Sequence, residues 1–177
     1  MPTQPNLLTS KQIPDHSILD IFNKQIYLGN NYTVVVPFTA GVAELPVLLL
    51  ANNSTANPTA VSGIATALFQ HTIKVIDLSP GGSVILRVYL NPTVTAVGTP
   101  VTPINTRTAY PNNSIATVTS GPTVSSFGTL EDAVSALAQQ VGESDLLKIL
   151  DPGQSILITA LASAAVLIDA KINWYEI

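Results

Sequence analysis

The side chains able to do chemistry are few and scattered. Histidine occurs twice, at His16 and His71, and neither stands in a motif that would recruit it as a ligand, acid or base. Carboxylates form two close pairs, Glu131 with Asp132 and Glu143 with Asp145. The second pair offers oxygens of the kind calcium takes but matches no complete site, and a solvated loop accounts for it. The first pair opens a segment of helical spacing, where the helix dipole favours negative charge without any catalysis. A retaining glycosidase needs two opposed carboxylates, and opposition is not written in spacing. The chain has no G-x-S-x-G elbow, P-loop, G-x-G-x-x-G turn, H-E-x-x-H helix or cysteine. The expectation is therefore a non-enzymatic protein with no catalytic residue, metal ligand or cofactor. Two aromatic positions remain. Trp174 belongs on the apolar face of an alternating strand, and Tyr175, on the opposite face, is a candidate contact residue. Tyr89, just before Asn91-Pro-Thr93, marks a strand end.

Composition points the same way. Hydrophobic residues make up 46% of the 177-residue chain and charged residues 10%, against roughly 25% charged in an average soluble protein. Such a surface is built from Thr, Ser, Asn and Ala and suits broad contact with other proteins. Seven basic residues face eleven acidic ones without a basic cluster, so nucleic acid is not expected as a partner. The longest apolar run, Ser155 to Ile168, is shorter than the ~20 residues of a membrane helix, and no membrane partner is expected. The start of the chain lacks the basic and apolar regions of a signal peptide.

The elements that would position these residues read as strands. Residues 1-22 read as an extended N-terminal arm in which Pro2, Pro5 and Pro14 oppose helix, while Leu7 and Leu8 imply docking. Residues 23-177 form one sandwich domain. Turn formers in Tyr27 to Tyr32 suggest a hairpin, and Tyr32, Val34, Val36 and Phe38 share one strand face. Glu44 to Leu50 is apolar on both faces, as a buried central strand is. Ile64 to Phe69 and Ile73 to Asp77 read as two short strands. At the end, Val166, Ile168, Ala170, Ile172 and Trp174 alternate with Leu167, Asp169, Lys171, Asn173 and Tyr175. Leu78 to Arg87 and Leu150 to Thr159 look alike, each a Pro-Gly turn leading into a strand. Only Leu130 to Gln140 breaks the pattern: Leu130, Val134, Leu137 and Val141 recur at helical spacing behind Thr129, which predicts one short inserted helix.

The polar N-terminal arm, the Tyr32 to Phe38 strand, the Asn-Pro-Thr loops at Asn57 and Asn91, the Asp151-Pro-Gly153 turn and the terminal Ile172-Asn-Trp-Tyr-Glu176 are similar to features of another group of proteins. Over Asn23 to Ile177 the chain resembles the small jelly-roll proteins on tailed-bacteriophage virions, of the capsid decoration (cement) or head-fibre type. That resemblance implies a jelly-roll-like antiparallel β-sandwich, a homotrimer, an anchoring arm and no enzymatic activity. It also implies a virion protein, made in the host cytoplasm, that packs on the major capsid protein or another virion protein at the capsid surface. The competing expectation is a tail-associated receptor-binding or lectin-like module, which would bind host cells or glycans instead.

Overall fold

A computed structural model describes residues 30–53, 66–75, 83–107, 109, 113–137, 141–144 and 148–176. The arm with Leu7 and Leu8, His16, the boundary at residue 23 and Asp145 lie outside them. In chain order the strands are β1 (Asn31–Ala40), β2 (Leu45–Asn52), β3 (Thr66–Val75), β4 (Ser83–Leu90), β5 (Thr93–Ala96), β6 (Thr99–Val101) and β7 (Ile104–Asn105). They continue with β8 (Ala116–Ser120), β9 (Thr123–Ser126), β10 (Thr129–Leu137), β11 (Val141–Ser144), β12 (Lys148–Leu150), β13 (Ser155–Ala162) and β14 (Val166–Glu176).

The protein is all-β among the described residues, and the strands form antiparallel sheets. One six-stranded sheet runs β11-β3-β14-β1-β7 with β12 also on β3, the other runs β10-β4-β13-β2-β8-β6, and β5 and β9 form a separate ribbon. The period-two pattern explains how the sheets meet. Tyr32, Val34 and Val36 of β1 and Ile168, Ala170, Ile172 and Trp174 of β14 face Leu48 and Leu50 of β2, Leu86 and Val88 of β4, and Ile156 and Ile158 of β13 in one buried cluster. The expected buried strand from Glu44 to Leu50 is β2, which lies between β13 and β8. The two short strands expected between Ile64 and Asp77 are one strand, β3, along which β14 pairs from Val75 back to Thr66.

The predicted helix is corrected. Thr129–Leu137 is strand β10, paired with β4 from Thr129 opposite Leu90 to Leu137 opposite Ser83, with a bulge between Leu130 and Asp132. Local helical spacing loses because the edge of β4 offers a ladder of backbone hydrogen bonds along the whole segment, with Ala136 buried and Val134 packed against the core. Leu130 and Leu137 remain exposed as a consequence. Glu131 is not a helix-dipole residue but an ion-pair partner of Lys148 on β12, at 2.8 Å, stitching the edges of the two sheets together.

Between β4 and β10 the chain leaves the sandwich and returns, and this excursion is an internal repeat. Asn91-Pro-Thr-Val-Thr-Ala-Val-Gly-Thr99 and Gly121-Pro-Thr-Val-Ser-Ser-Phe-Gly-Thr129 match position for position. Their backbones match too: φ is +52° at Asn91 and +58° at Gly121, +83° at Gly98 and +91° at Gly128. The copies exchange ends. β5 pairs with β9, β6 after the first copy pairs with β8 before the second, and β10 after the second pairs with β4 before the first. A Cβ on Gly98 would collide with the Ser120 carbonyl, and one on Gly128 with the Leu90 carbonyl, the equivalent atom 30 residues away.

Gly98→Ala and Gly128→Ala should each cost about 2 kcal/mol or more in chemical denaturation, since left-handed backbone and a clash with main chain combine. Gly121→Asn should be nearly neutral, because Asn91 already holds the matching position. Trp174 is fully buried and stacked on Tyr32, with ring centroids 5.7 Å apart. Trp174→Ala should therefore cost about 3–5 kcal/mol. Trp174→Phe should cost less, because the indole Nε1 has no hydrogen-bond partner.

Candidate functional site

The two sheets differ on their outer faces. Along β2, β13 and β4 the outward side chains Leu49, Leu157 and Tyr89 form a second small cluster, roofed by Val94 and Val124 of the ribbon and by Phe127. Tyr89 and Phe127 meet with ring centroids 5.3 Å apart. This roof follows from the repeat: Val94 and Val124 hold the same position in the two copies and point down together, leaving Thr93, Thr95, Thr123, Ser125 and Ser126 outward.

Beside the roof sits the most connected polar group on this face. Glu44, in the turn between β1 and β2, reaches over the sheet, where its carboxylate accepts hydrogen bonds from the Tyr89 hydroxyl at 2.8 Å, from the Thr159 hydroxyl and from the Arg87 guanidinium. Arg87 and Thr159 are cross-strand neighbours on β4 and β13, so the strand register delivers both donors to one carboxylate. Burial alone would raise the Glu44 carboxyl, but hydrogen bonds from Thr159 and Tyr89 and the charge of Arg87 outweigh it and hold the group below its ordinary value. The arrangement pins a turn to a sheet and supplies no nucleophile or free base. Nothing in the sequence pattern announced it, because Glu44, Arg87 and Thr159 are far apart in the chain and meet only through the sheet.

A second carboxylate does similar work at the other end. Glu176 accepts hydrogen bonds from the Ser114 hydroxyl at 2.6 Å and from the backbone amides of Ile115 at 3.0 Å and Ala116 at 3.1 Å, fixing the start of β8 to the last strand. Burial, with the charge of Glu176 nearby, pushes the Tyr32 phenol up to about 12.

Two hollows adjoin the roof. One of about 470 Å³ lies among Phe38, Glu44, Leu45, Pro46, Pro122 and Phe127. The other, about 550 Å³, is floored by Leu49, Ala51 and Thr119 and walled by Val97, Pro100 and Pro103. Size and apolar lining place both in the range of ligand sites.

Of the residues expected to matter from sequence, Trp174 is a core residue. Tyr175, expected on a contact face, is only 4% exposed, and burial pushes its phenol up. Its face of β14 is open at Leu167 but covered toward the C-terminal end, where Asn173 is buried as well. Strand periodicity names the face and not what lies over it. Tyr175→Ala is accordingly expected to destabilise the fold measurably, by about 1 kcal/mol or more. His71 lies on β3 opposite Ile172 and Glu143 on β11 opposite Thr72, at separate register positions. Among the described residues no three His, Asp or Glu side chains gather as a metal would need, and no helix is long and apolar enough to cross a membrane.

No protein-family model matches the chain, and no curated protein matches its sequence at a significant level.

The Glu44 group has a pH signature. Because the folded carboxyl sits below its unfolded value near 4.5, its contribution is present above that value and lost as pH falls through the folded one. Thermal melts of the parent should decline below about pH 4.5 more steeply than those of Glu44→Gln. At pH 7 that variant should be less stable by about 1–3 kcal/mol.

Proposed function

We propose that this chain is a non-enzymatic structural virion protein with a jelly-roll fold, which decorates or stabilises a bacteriophage capsid as a homotrimer through protein-protein packing. The observation that carries the proposal is the order of its principal strands. Counting β1, β2, β3, β4, β10, β11, β13 and β14 as one to eight, one sheet reads one-eight-three-six and the other two-seven-four-five. Successive strands change sheet at every step except from four to five, which pair within one sheet, and this order supports reading the chain as two interlocked Greek keys wound as a jelly roll, an architecture frequent in viral capsid and lectin domains. The fold alone does not select a function. The low charge of the chain and the hydroxyl-rich outer face of the ribbon favour a surface that packs on protein. The polar groups found at hydrogen-bonding distance are spent on holding strands and turns, which supports a scaffold over a catalyst.

The test is sedimentation of the purified protein with empty capsids of the virus that would carry it, together with light scattering of the protein alone. Saturable binding to capsids by a species of three chains is expected. A stable monomer that ignores capsids and binds glycans or host cells would overturn the proposal in favour of a receptor-binding module.

A further inference from the structure

The internal repeat belongs to a wider pseudo-two-fold symmetry of the sheet β10-β4-β13-β2-β8-β6, whose axis passes between β13 and β2. The step that carries the first copy onto the second also carries β4 onto β8 and β6 onto β10. Tyr89 stands opposite Leu130 and Leu157, and Thr119 correspondingly opposite Pro100 and Leu49. The central strands exchange about the pair Leu157 and Leu49, so that Ile158 opposite Leu48 matches Leu50 opposite Ile156. Even a loop contact is duplicated: the Asn91 amide donates to the Ser155 carbonyl at 2.8 Å and the Gly121 amide to the Val47 carbonyl at 2.9 Å.

The two halves are not filled alike. On the β4 side the outer face holds Tyr89 against the Phe127 ring, with Arg87 and Thr159 gathered on Glu44. On the β8 side Thr119 matches Tyr89, Val97 matches Phe127, Thr117 matches Arg87 and Ala51 matches Thr159. Each is smaller than its counterpart, and these four residues line the hollow of about 550 Å³. The hollow is therefore the place of the Tyr89–Phe127 pair with the rings taken out. Val97 stands 61% exposed at its side, while Thr119 is 9% exposed and its hydroxyl is buried without a hydrogen-bond partner among the described residues. No charged side chain of the described residues lines it.

We propose that this hollow is a binding site for a small uncharged aromatic molecule carrying a hydroxyl, of the phenol or naphthol class. The ring takes the place that Tyr89 and Phe127 fill on the other side, packing among Ala51, Val97 and Pro100, and the ligand hydroxyl exchanges a hydrogen bond with Thr119. An aromatic carboxylate finds no cation to pair with, and the Glu176 carboxylate, bonded to Ser114 and Ala116 of the lining, opposes it. The inference does not depend on the virion reading, and its test uses the isolated chain, so the two fail separately.

The experiment titrates the isotope-labelled full-length protein with β-naphthol, β-naphthoate and N-acetyl-tyrosinamide, following the backbone amides by NMR. β-Naphthol should bind saturably, with shifts concentrated at Val97–Val101 and Thr117–Thr119, and both other probes should bind at least about tenfold more weakly. Val97→Phe places the ring of Phe127 at the matching exposed position. That variant should melt like the parent and bind β-naphthol at least about tenfold more weakly. Thr119→Val keeps the side-chain shape, should melt no lower than the parent, and should bind about fivefold more weakly for want of the hydroxyl. Absence of saturable binding, shifts on another face, or parental affinity in either variant would overturn the proposal, as would naphthoate binding as tightly as naphthol. Tighter binding of N-acetyl-tyrosinamide than of naphthol would assign the site to a tyrosine of a partner protein and overturn the small-molecule ligand.

Discussion

Neither sheet exists without the last two strands. β14 lies between β1 and β3, and β13 lies between β2 and β4, so within each sheet these strands of the first half of the chain are joined through one of the last two strands rather than directly. β1 meets β14 in a ladder running from Asn31 opposite Tyr175 to Ala40 opposite Val166, nearly the full length of the chain apart. Every such contact is non-local, and the loop-closure entropy must be met before the core rewards it. That is why β14 is so uncompromising in sequence: each inward position from Val166 to Trp174 is buried, and its largest ring closes against Tyr32 at the opposite end of the chain.

With the sandwich closed in this way, the segment between β4 and β10 elaborates it. It adds β6 and β8 to one sheet and β7 to the other, and lays the β5–β9 ribbon over an outer face that would otherwise expose Leu49, Tyr89 and Leu157. Its two repeats pair reciprocally, so each left-handed glycine is locked by the other copy's backbone. The acidic residues seen at bonding distance serve this assembly: Glu44 ties a turn to the covered face, Glu176 ties the end of β14 to the start of β8, and Glu131 ties β10 to β12. In a chain this poor in charge, carboxylates act as fasteners placed where separate elements meet, and the wide surface is left to neutral hydroxyls.

Much of this was legible beforehand in particular segments. The alternation in Tyr32 to Phe38 and in Val166 to Trp174 named the inward residues correctly, because period two is a property of the extended backbone itself. The Asp151-Pro-Gly153 turn was legible for the same local reason: Gly153 adopts φ +83° and the Gln154 amide bonds back to Asp151. The 30-residue repeat was equally present in the sequence, marked by Pro-Thr-Val and Gly-Thr at matched positions, but its small, common residues blend into a Thr-, Ser- and Pro-rich background. The look-alike segments around Pro80 and Pro152 are plainer in the sequence, and the strands that follow them, β4 and β13, are direct neighbours in one sheet.

By itself, then, the sequence determined a predominantly β chain, the inward faces of β1 and β14 up to Trp174, the Asp151-Pro-Gly153 turn, and a composition short of charge, since all of these rest on backbone sterics, periodicity and composition. Tertiary structure alone decided that Thr129–Leu137 is a strand, that Tyr175 is covered, that Glu44 gathers Arg87, Tyr89 and Thr159, and that one outer face is roofed while leaving a groove beside the roof. Each of those depends on which element lies next to which. A residue's pattern states how many faces it has, but only a neighbour brought from elsewhere in the chain supplies the ladder, the donor or the cover that makes one face the inside.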